Sequence, residues 1–336
     1  MQTLLAAIFV FGLLIFVHEF GHYIAAKKSG VKVLELAIGF GPKILGWQKN
    51  DTDYSLRIIP LGGFCRMLGE DPEEKDLPGS FTQKSVLTRM IVIAAGPVMN
   101  IVLTVVLFFS VYFFFVGIPA EESTRIGHVE PNQPADEAGL EVGDEIVAID
   151  GEEVTVWEDV LKGIEGKAGE EITISFLRNG EEKQLEVTPE LEEHTGQGLI
   201  HVGPETNLYS LGGSLEMSFN YIAVFFSTLY QVIAGEAPAD VTGPAGIIAI
   251  VGEAAAMGFV NLLMLTALIS INIALVNLLP IPALDGGRLL FLIIEGFRGK
   301  PLDPEKEGFI HFIGFALLIT LILVITYHDI MRWDFF

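Results

Sequence analysis

Basic residues are scarce in this 336-residue chain, with 20 Lys and Arg against 43 Asp and Glu, and none of them precedes residue 27. The net charge of −23 argues against nucleic acid as a partner, because phosphate binding needs a basic footprint. Cysteine is nearly absent. Cys65 stands alone, so no internal disulfide can form, and with no Cys or His neighbour at metal-ligand spacing it reads as an inert thiol. The apolar run from Met1 to Val17 also lacks the basic n-region and the small-residue cleavage site of a secretory signal, and is expected to remain in the mature chain.

Long hydrophobic runs are plentiful, and half of the chain is hydrophobic. Several windows approach the ~20 apolar residues that cross a hydrocarbon core. Transmembrane helices are expected at about residues 3–25, 90–116, 259–284 and 309–327, with Gly96-Pro97 as a tolerated irregularity or packing point in the second. The aromatic tail after Tyr327 suits a membrane interface. Residues 118–216 carry 24 Asp or Glu and 5 Lys or Arg, whereas residues 26–89 hold 10 Lys or Arg and the connection from Gly286 to Gly308 holds 4. The positive-inside rule then places those two connections in the cytoplasm and the acidic stretch outside, with both termini outside. Met217 to Ala234 is apolar and about long enough to cross. Its Ser, Asn, Tyr and Gln residues favour instead a helix at about 215–235 lying in the outer interface, within a linker at 205–258.

Within the first span lies His18-Glu19-Phe20-Gly21-His22. On a helix, two His four apart share one face with Glu19 beside them, the arrangement of two zinc ligands and a general base. The bland reading is a buried His pair in a core helix, but ionisable groups in a membrane-length apolar segment are expensive unless they serve a site. At the other end of the chain, Asn277-Leu278-Leu279-Pro280-Ile281-Pro282-Ala283-Leu284-Asp285 closes the third span. Two prolines cannot continue a regular helix, and irregular backbone at membrane depth survives only where it lines protein or a wet cavity. Asp285 could simply terminate a helix at the interface. Depth argues for more: the first helix reaches His18 roughly 23 Å from its outer start at 1.5 Å per residue, and the third span descends from the same side to Asp285. Both motifs arrive near the cytoplasmic face, which makes Asp285 the candidate third ligand.

Two smaller regions are patterned as strands. Val31 to Phe40 and Tyr54 to Ile59 could pair as a hairpin, with Gly39-Phe40-Gly41-Pro42 and Leu61-Gly62-Gly63-Phe64 expected to break them. In the acidic stretch, Ile126–Glu130, Glu145–Asp150, Glu171–Leu177 and Lys183–Thr188 read as strands and Val156–Ile164 as a helix, with hairpin turns at Asp150-Gly151 and Asn179-Gly180. The strings Pro134-Ala135-Asp136-Glu137-Ala138-Gly139-Leu140, Gly143-Asp144-Glu145-Ile146 and Ile149-Asp150-Gly151 resemble PDZ domains of bacterial membrane-associated proteases. A single PDZ domain at 122–190 is implied, whose groove would take an extended peptide by strand addition.

Taken with Ala95-Gly96-Pro97-Val98-Met99-Asn100 and Thr242-Gly243-Pro244, these motifs resemble the site-2 protease family of intramembrane zinc metalloproteases over nearly the whole chain. The resemblance implies zinc as cofactor, His18, His22 and Asp285 as its ligands, Glu19 as general acid/base, and Asn277 as a polar group near the substrate backbone. It further implies that residues 31–67 form a membrane-associated β element on the cytoplasmic side that presents the substrate as an added strand. The expected fold is a polytopic α-helical membrane protein of four transmembrane helices, with catalytic parts at 1–117 and 259–336 and one extracytoplasmic PDZ domain. The expected setting is the bacterial inner membrane, and the partners are the lipid bilayer and single-span membrane proteins cut in regulated intramembrane proteolysis, such as anti-sigma factors or signal-peptide remnants. A noncatalytic PDZ adaptor would not need Glu19, and a metal transporter would be expected to show internal repeats or several broken spans, which this sequence lacks.

Overall fold

The computed structural model describes residues 2–74, 76–120, 122–192, 196–236 and 242–332. Trp333, Phe335 and Phe336 of the aromatic tail lie outside the described residues. The chain divides into two compact units, one made of Met1–Val111 and Ser214–Phe336, the other of Tyr112–Gly213.

The first unit begins with α1 (Gln2–Lys28), free of Asp, Glu, Lys and Arg apart from Glu19 until Lys27 and Lys28 place their charges at the negative end of its dipole. It stops in a Schellman turn, where Gly30 takes φ +68° and the Val31 N–H reaches the Ala26 carbonyl at 2.9 Å. An antiparallel hairpin of β1 (Val33–Lys49) and β2 (Thr52–Met67) follows. The glycine strings expected to break these strands do not end them. Gly39, Gly41 and Gly62 adopt φ of +87°, +85° and +92°, which bends the ladder and lets it continue. Through the bend the hairpin folds on itself, so that Leu36 faces both Tyr54 and Cys65. The hairpin root is buried, with Val33 and Leu36 packed beside Ala26, Val92 and Leu292, while its far end exposes Ile44, Leu45, Trp47 and Ile58.

α2 (Val86–Phe114) starts where the Ser85 hydroxyl accepts the Thr88 N–H, and it carries Pro97 in its interior. After the second unit come α5 (Leu211–Ala234), α6 (Pro244–Met257), α7 (Phe259–Leu278), α8 (Asp285–Arg298) and α9 (Pro304–Arg332). Four helices among the described residues are long and apolar enough to cross a membrane: Gln2–Lys28, Val86–Phe114, Phe259–Leu278 and Glu305–Asp329. The third span is shorter than the expected 259–284. It ends at Leu278, because Pro280 denies the preceding residue helical geometry and Leu279 turns to ψ 141°. The connection expected from Gly286 to Gly308 is itself largely helical, since Leu289 to Ile294 supply an apolar face for α8. Asp329 of α9 is buried and accepts the N–H groups of Gly243 and Gly246 at 3.2 and 3.0 Å, capping the start of α6.

The second unit holds β3 (Gly117–Pro119), β4 (Ile126–Val129), α3 (Pro134–Ala138), β5 (Glu145–Ile149), β6 (Glu152–Glu153), α4 (Trp157–Glu165), β7 (Ile172–Arg178) and β8 (Glu181–Val187). Short strands β9 (Glu190–Leu191), β10 (Gly198–Leu199), β11 (Val202–Pro204) and β12 (Thr206–Leu208) complete it. Its main sheet has the order β6-β5-β7-β8. Asp150-Gly151 and Asn179-Gly180 both have two consecutive positive φ values, the geometry of tight turns whose twist matches that of the flanking strands. The expected boundary at residue 190 is too early. β11 pairs with β4, and Ile200 is buried in the same core as Ile126, Ile146 and Val160, so the module extends past residue 200.

One ion pair fixes the turn before β5 to β7. Arg178 donates through Nε and Nη2 to the two carboxylate oxygens of buried Asp144 at 2.7 Å each, and the Glu141 N–H adds a bond at 2.8 Å. Burial disfavours the Asp144 charge, but the Arg178 guanidinium and the Glu141 N–H outweigh it and hold the carboxyl below its ordinary value. A lowered folded-state value contributes stability that is present above the unfolded pKa of about 3.9 and is lost as pH falls through the folded value. In an isolated 112–213 module, Asp144→Asn is expected to lower unfolding free energy by about 3 kcal/mol at pH 7. The difference between mutant and wild type should begin to shrink below about pH 4 and vanish only once the pH is under the lowered folded-state value, followed by denaturant unfolding at the buried Trp157.

Candidate active site

The first unit brings together residues from both ends of the chain. α1 presents His18 and His22 one turn apart, and Asp285 is the first residue of α8, where the helix N-terminus favours a carboxylate. Asp285 Oδ2 lies 3.1 Å from His18 Nε2 and 3.4 Å from His22 Nε2, and the two Nε2 atoms are 3.3 Å apart. An ion bound tetrahedrally at ~2.0–2.1 Å separates its ligands by roughly 3.3 Å, so the three atoms form one face of such a tetrahedron. Asp285 Oδ2 is also buried without a hydrogen-bond partner. A buried carboxylate oxygen left in that state is compensated by a cation, and the residues present therefore fit zinc.

The other ring nitrogens complete the fit. His22 Nδ1 is 2.9 Å from the Val92 carbonyl, which requires a proton on Nδ1 and leaves Nε2 free to ligate. His18 Nδ1 faces the carboxamide of Asn100 at 3.4 Å. The atom facing the ring is Nδ2, while Asn100 Oδ1 is buried without a partner. With His18 ligating through Nε2, its Nδ1 carries the proton and needs an acceptor, which the same carboxamide supplies once it is turned over to present Oδ1. Asn100 is fully buried, and its backbone carbonyl accepts the hydroxyls of Thr104 and of Ser270 from α7. In the sequence Asn100 stands out only as the last residue of the Ala95-Gly96-Pro97-Val98-Met99-Asn100 string. The signal that marks it is a carboxamide in the middle of an apolar span, where a polar group needs a reason.

Glycines make room for this geometry. A Cβ on Gly96 would stand 2.2 Å from His22 Nε2, and one on Gly21 would stand 2.3 Å from the Ala95 carbonyl oxygen. Gly96 thus clears the space that the imidazole occupies, and Gly21 lets α1 and α2 touch backbone to backbone. Gly286 and Gly287 do the same for the approach to α8, where a Cβ would fall 2.1 and 2.4 Å from the carbonyl oxygens of Leu279 and Ile281.

A cavity of ≈ 480 Å³ opens on the three donor atoms. Glu19 and Asn277 line it together with the Gly63–Met67 stretch of β2, and Arg288 and Glu70 pair at 3.0 Å along its wall. Gly63 carries β2 onto α1, since a Cβ there would lie 3.1 Å from Glu19 Cγ. Cys65 also faces the cavity. Burial, and then the carboxylates of Glu19 and Glu70, push its thiol well above the ordinary value. In the second unit, a separate groove of ≈ 390 Å³ runs between α4 and the Gly198–Val202 segment, lined by Trp157, Leu161, Leu199 and His201.

A model of peptidase family M50 matches residues 6–321. The chain belongs to peptidase family M50. A putative zinc metalloprotease of Clostridium acetobutylicum is 37% identical over 336 residues, covering 98% of this chain and 97% of that one. The zinc metalloprotease RasP of Geobacillus kaustophilus is 34% identical and covers 99% of both chains. The regulator of sigma-W protease RasP of Bacillus subtilis is 32% identical, covering 98% of this chain and 99% of its own. Among solved structures, the PDZ domain of an SdrC-like protein from Listeria monocytogenes matches 26% of this chain and 90% of its own length, at 20% identity and a TM-score of 0.22. This M50 chain is a zinc metalloprotease with membrane-length helices.

The tight contact at Gly96 carries its own test. Gly96→Ala is expected to displace His22 and lower zinc affinity by roughly 10–100-fold while the helical circular dichroism stays unchanged, measured by competition with a chromogenic chelator. Wild-type affinity in Gly96→Ala would show that the imidazole does not depend on this space.

Proposed function

We propose that this M50 protein is an intramembrane zinc metalloprotease in which His18, His22 and Asp285 hold the metal, Glu19 moves the proton, and peptide bonds within or near the transmembrane segment of single-span membrane proteins are hydrolysed. The observation that carries this reading is the triangle of donor atoms with edges of 3.1–3.4 Å, built from α1, which is long and apolar enough to cross a bilayer, and from the first residue of α8, seven residues after the end of another such helix.

Zinc at that position supplies a Lewis acid and makes water nucleophilic near neutral pH. The chain's own residues do the rest. Glu19, on the turn between the two His and open to the same cavity, accepts the proton of the attacking water on a carboxylate oxygen and passes it to the leaving amine. Asn277, which lines the same cavity, offers its carboxamide to the substrate backbone. A transmembrane helix shields its own carbonyls, so the scissile segment has to be extended to react. The Gly63–Met67 stretch lines the cavity, and in this reading it holds the substrate as an added strand.

The distribution of Lys and Arg supports a reading in which the hairpin and the α8 region are on the cytoplasmic side of a bacterial cell membrane, and the PDZ module with both termini on the outer side. The exposed Ile44, Leu45 and Trp47 then rest in the inner interface. The groove beside α4 takes an extended peptide against the Gly198–Val202 segment. One relative is named a regulator of sigma-W protease, and by that likeness the substrates here include anti-sigma factors, with signal-peptide remnants as a second group of short single-span chains.

Purified protein and a single-span model substrate in mixed micelles test the reading. Wild type is expected to cut the substrate and to stop when zinc is chelated. Glu19→Gln is expected to retain zinc yet lose at least ~100-fold in rate, whereas Asp285→Ala loses both. Normal turnover by Glu19→Gln would overturn the assignment of the proton carrier.

A further inference from the structure

The segment that delivers Asp285 has little internal support. Between Leu279 and Asp285, Pro280 and Pro282 have no N–H to donate, so only three of the five intervening residues can donate a backbone hydrogen bond. Ile281 and Leu284 donate to the carbonyls of Leu279 and Ile281 at 2.7 and 3.2 Å. The remaining N–H, from Ala283, leaves the loop and is accepted by His311 Nδ1 of α9 at 2.8 Å. Ala283 itself is held at φ +78°, a left-handed conformation that a residue with a Cβ does not keep without help.

α9 is shaped for this contact although it contributes no side chain to the active-site cavity. One turn beyond His311 on the same face, a Cβ on Gly314 would stand 2.5 Å from both Cβ and the carbonyl oxygen of Pro282. The helix therefore meets the loop backbone at a place where only glycine fits. The His311 ring is fixed edge-on against Phe291 of α8, with centroids 5.2 Å apart and planes at 89°, which aims Nδ1 at the loop. Since Nδ1 accepts, the ring proton sits on Nε2.

We propose that His311 and Gly314 are positioning residues, a clamp through which α9 holds the Ile281–Leu284 loop and so keeps the Asp285 carboxylate at the two imidazoles. The inference rests on Asp285 being a metal ligand. Without the Nδ1 acceptor, the Ala283 N–H has no partner and the left-handed turn relaxes. Asp285, two residues on, then moves away from His18 and His22. The last helix, which looks in sequence like a plain membrane anchor, thereby belongs to the metal site.

The full-length protein is stripped of metal and titrated with zinc against a chelator, and with cobalt(II), whose visible absorption reports ligand geometry. His311→Phe preserves the ring but removes the acceptor. It is expected to weaken zinc binding by roughly 10–100-fold and to change the cobalt spectrum. His311→Asn, whose carboxamide oxygen can stand near the position of Nδ1, is expected to recover affinity to within about 3-fold of wild type. Gly314→Ala, with His311 intact, is expected to resemble His311→Phe and answers the question if His311→Phe fails to fold. Wild-type binding and spectrum in a folded His311→Phe or Gly314→Ala protein would overturn the clamp, as would His311→Asn binding no better than His311→Phe. Asp285→Ala in the same titration separates the two claims. If it binds like wild type, the ligand assignment itself fails; if it loses metal while His311→Phe does not, only the clamp fails.

Discussion

A carboxylate oxygen buried beside two imidazoles, with no donor of its own, is the condition around which the membrane unit is arranged. Inside apolar surroundings such a charge is tolerable only with a cation next to it, and a cation requires its ligands at fixed separations. That demand explains otherwise costly choices. Gly21 and Gly96 remove side chains from the α1–α2 crossing, Gly286 and Gly287 allow α8 to fold back onto the end of α7, and a polar Asn100 sits in the middle of a span. Each would weaken an ordinary helix pair. Together they let three donor atoms from two distant segments meet.

The same condition sets the place of the hairpin. Peptide hydrolysis consumes water, so a site within membrane-length helices needs a polar path to the solvent and an extended stretch of substrate. β2 supplies a wall of the cavity directly over Glu19, and the glycine bends in both strands allow it to pack onto α1 without ending the sheet. The buried root of the hairpin makes this a fixed part of the unit, while its far end leaves Ile44, Leu45 and Trp47 exposed.

Much of the chemistry was legible in the sequence because it is local. His18, Glu19 and His22 lie within two helical turns, so spacing alone puts them on one side. Asn179-Gly180 marks its turn because few other pairs accept two positive φ values. Asp285 could be reached by comparing depths along two spans. What the sequence hid depends on contacts between distant segments. Gly39 and Gly62 read as strand breaks, yet a glycine with positive φ can equally bend a strand whose partner continues, and only the partner decides. α8 was hidden behind its glycines and its basic residues. Asn100 and His311 contact groups far away in the chain, and the end of the second unit's module depends on β11 finding β4.

The central claim, that two imidazoles and one carboxylate hold zinc in this chain, is tested most directly by X-ray absorption at the zinc edge on the purified full-length protein. Cys65 faces the same cavity, which gives the measurement a sharp alternative. The expected first shell is nitrogen and oxygen at about 2.0–2.1 Å with imidazole scattering from two rings and no sulfur. A sulfur contribution at about 2.3 Å, or a shell unchanged by Asp285→Ala, would contradict the account.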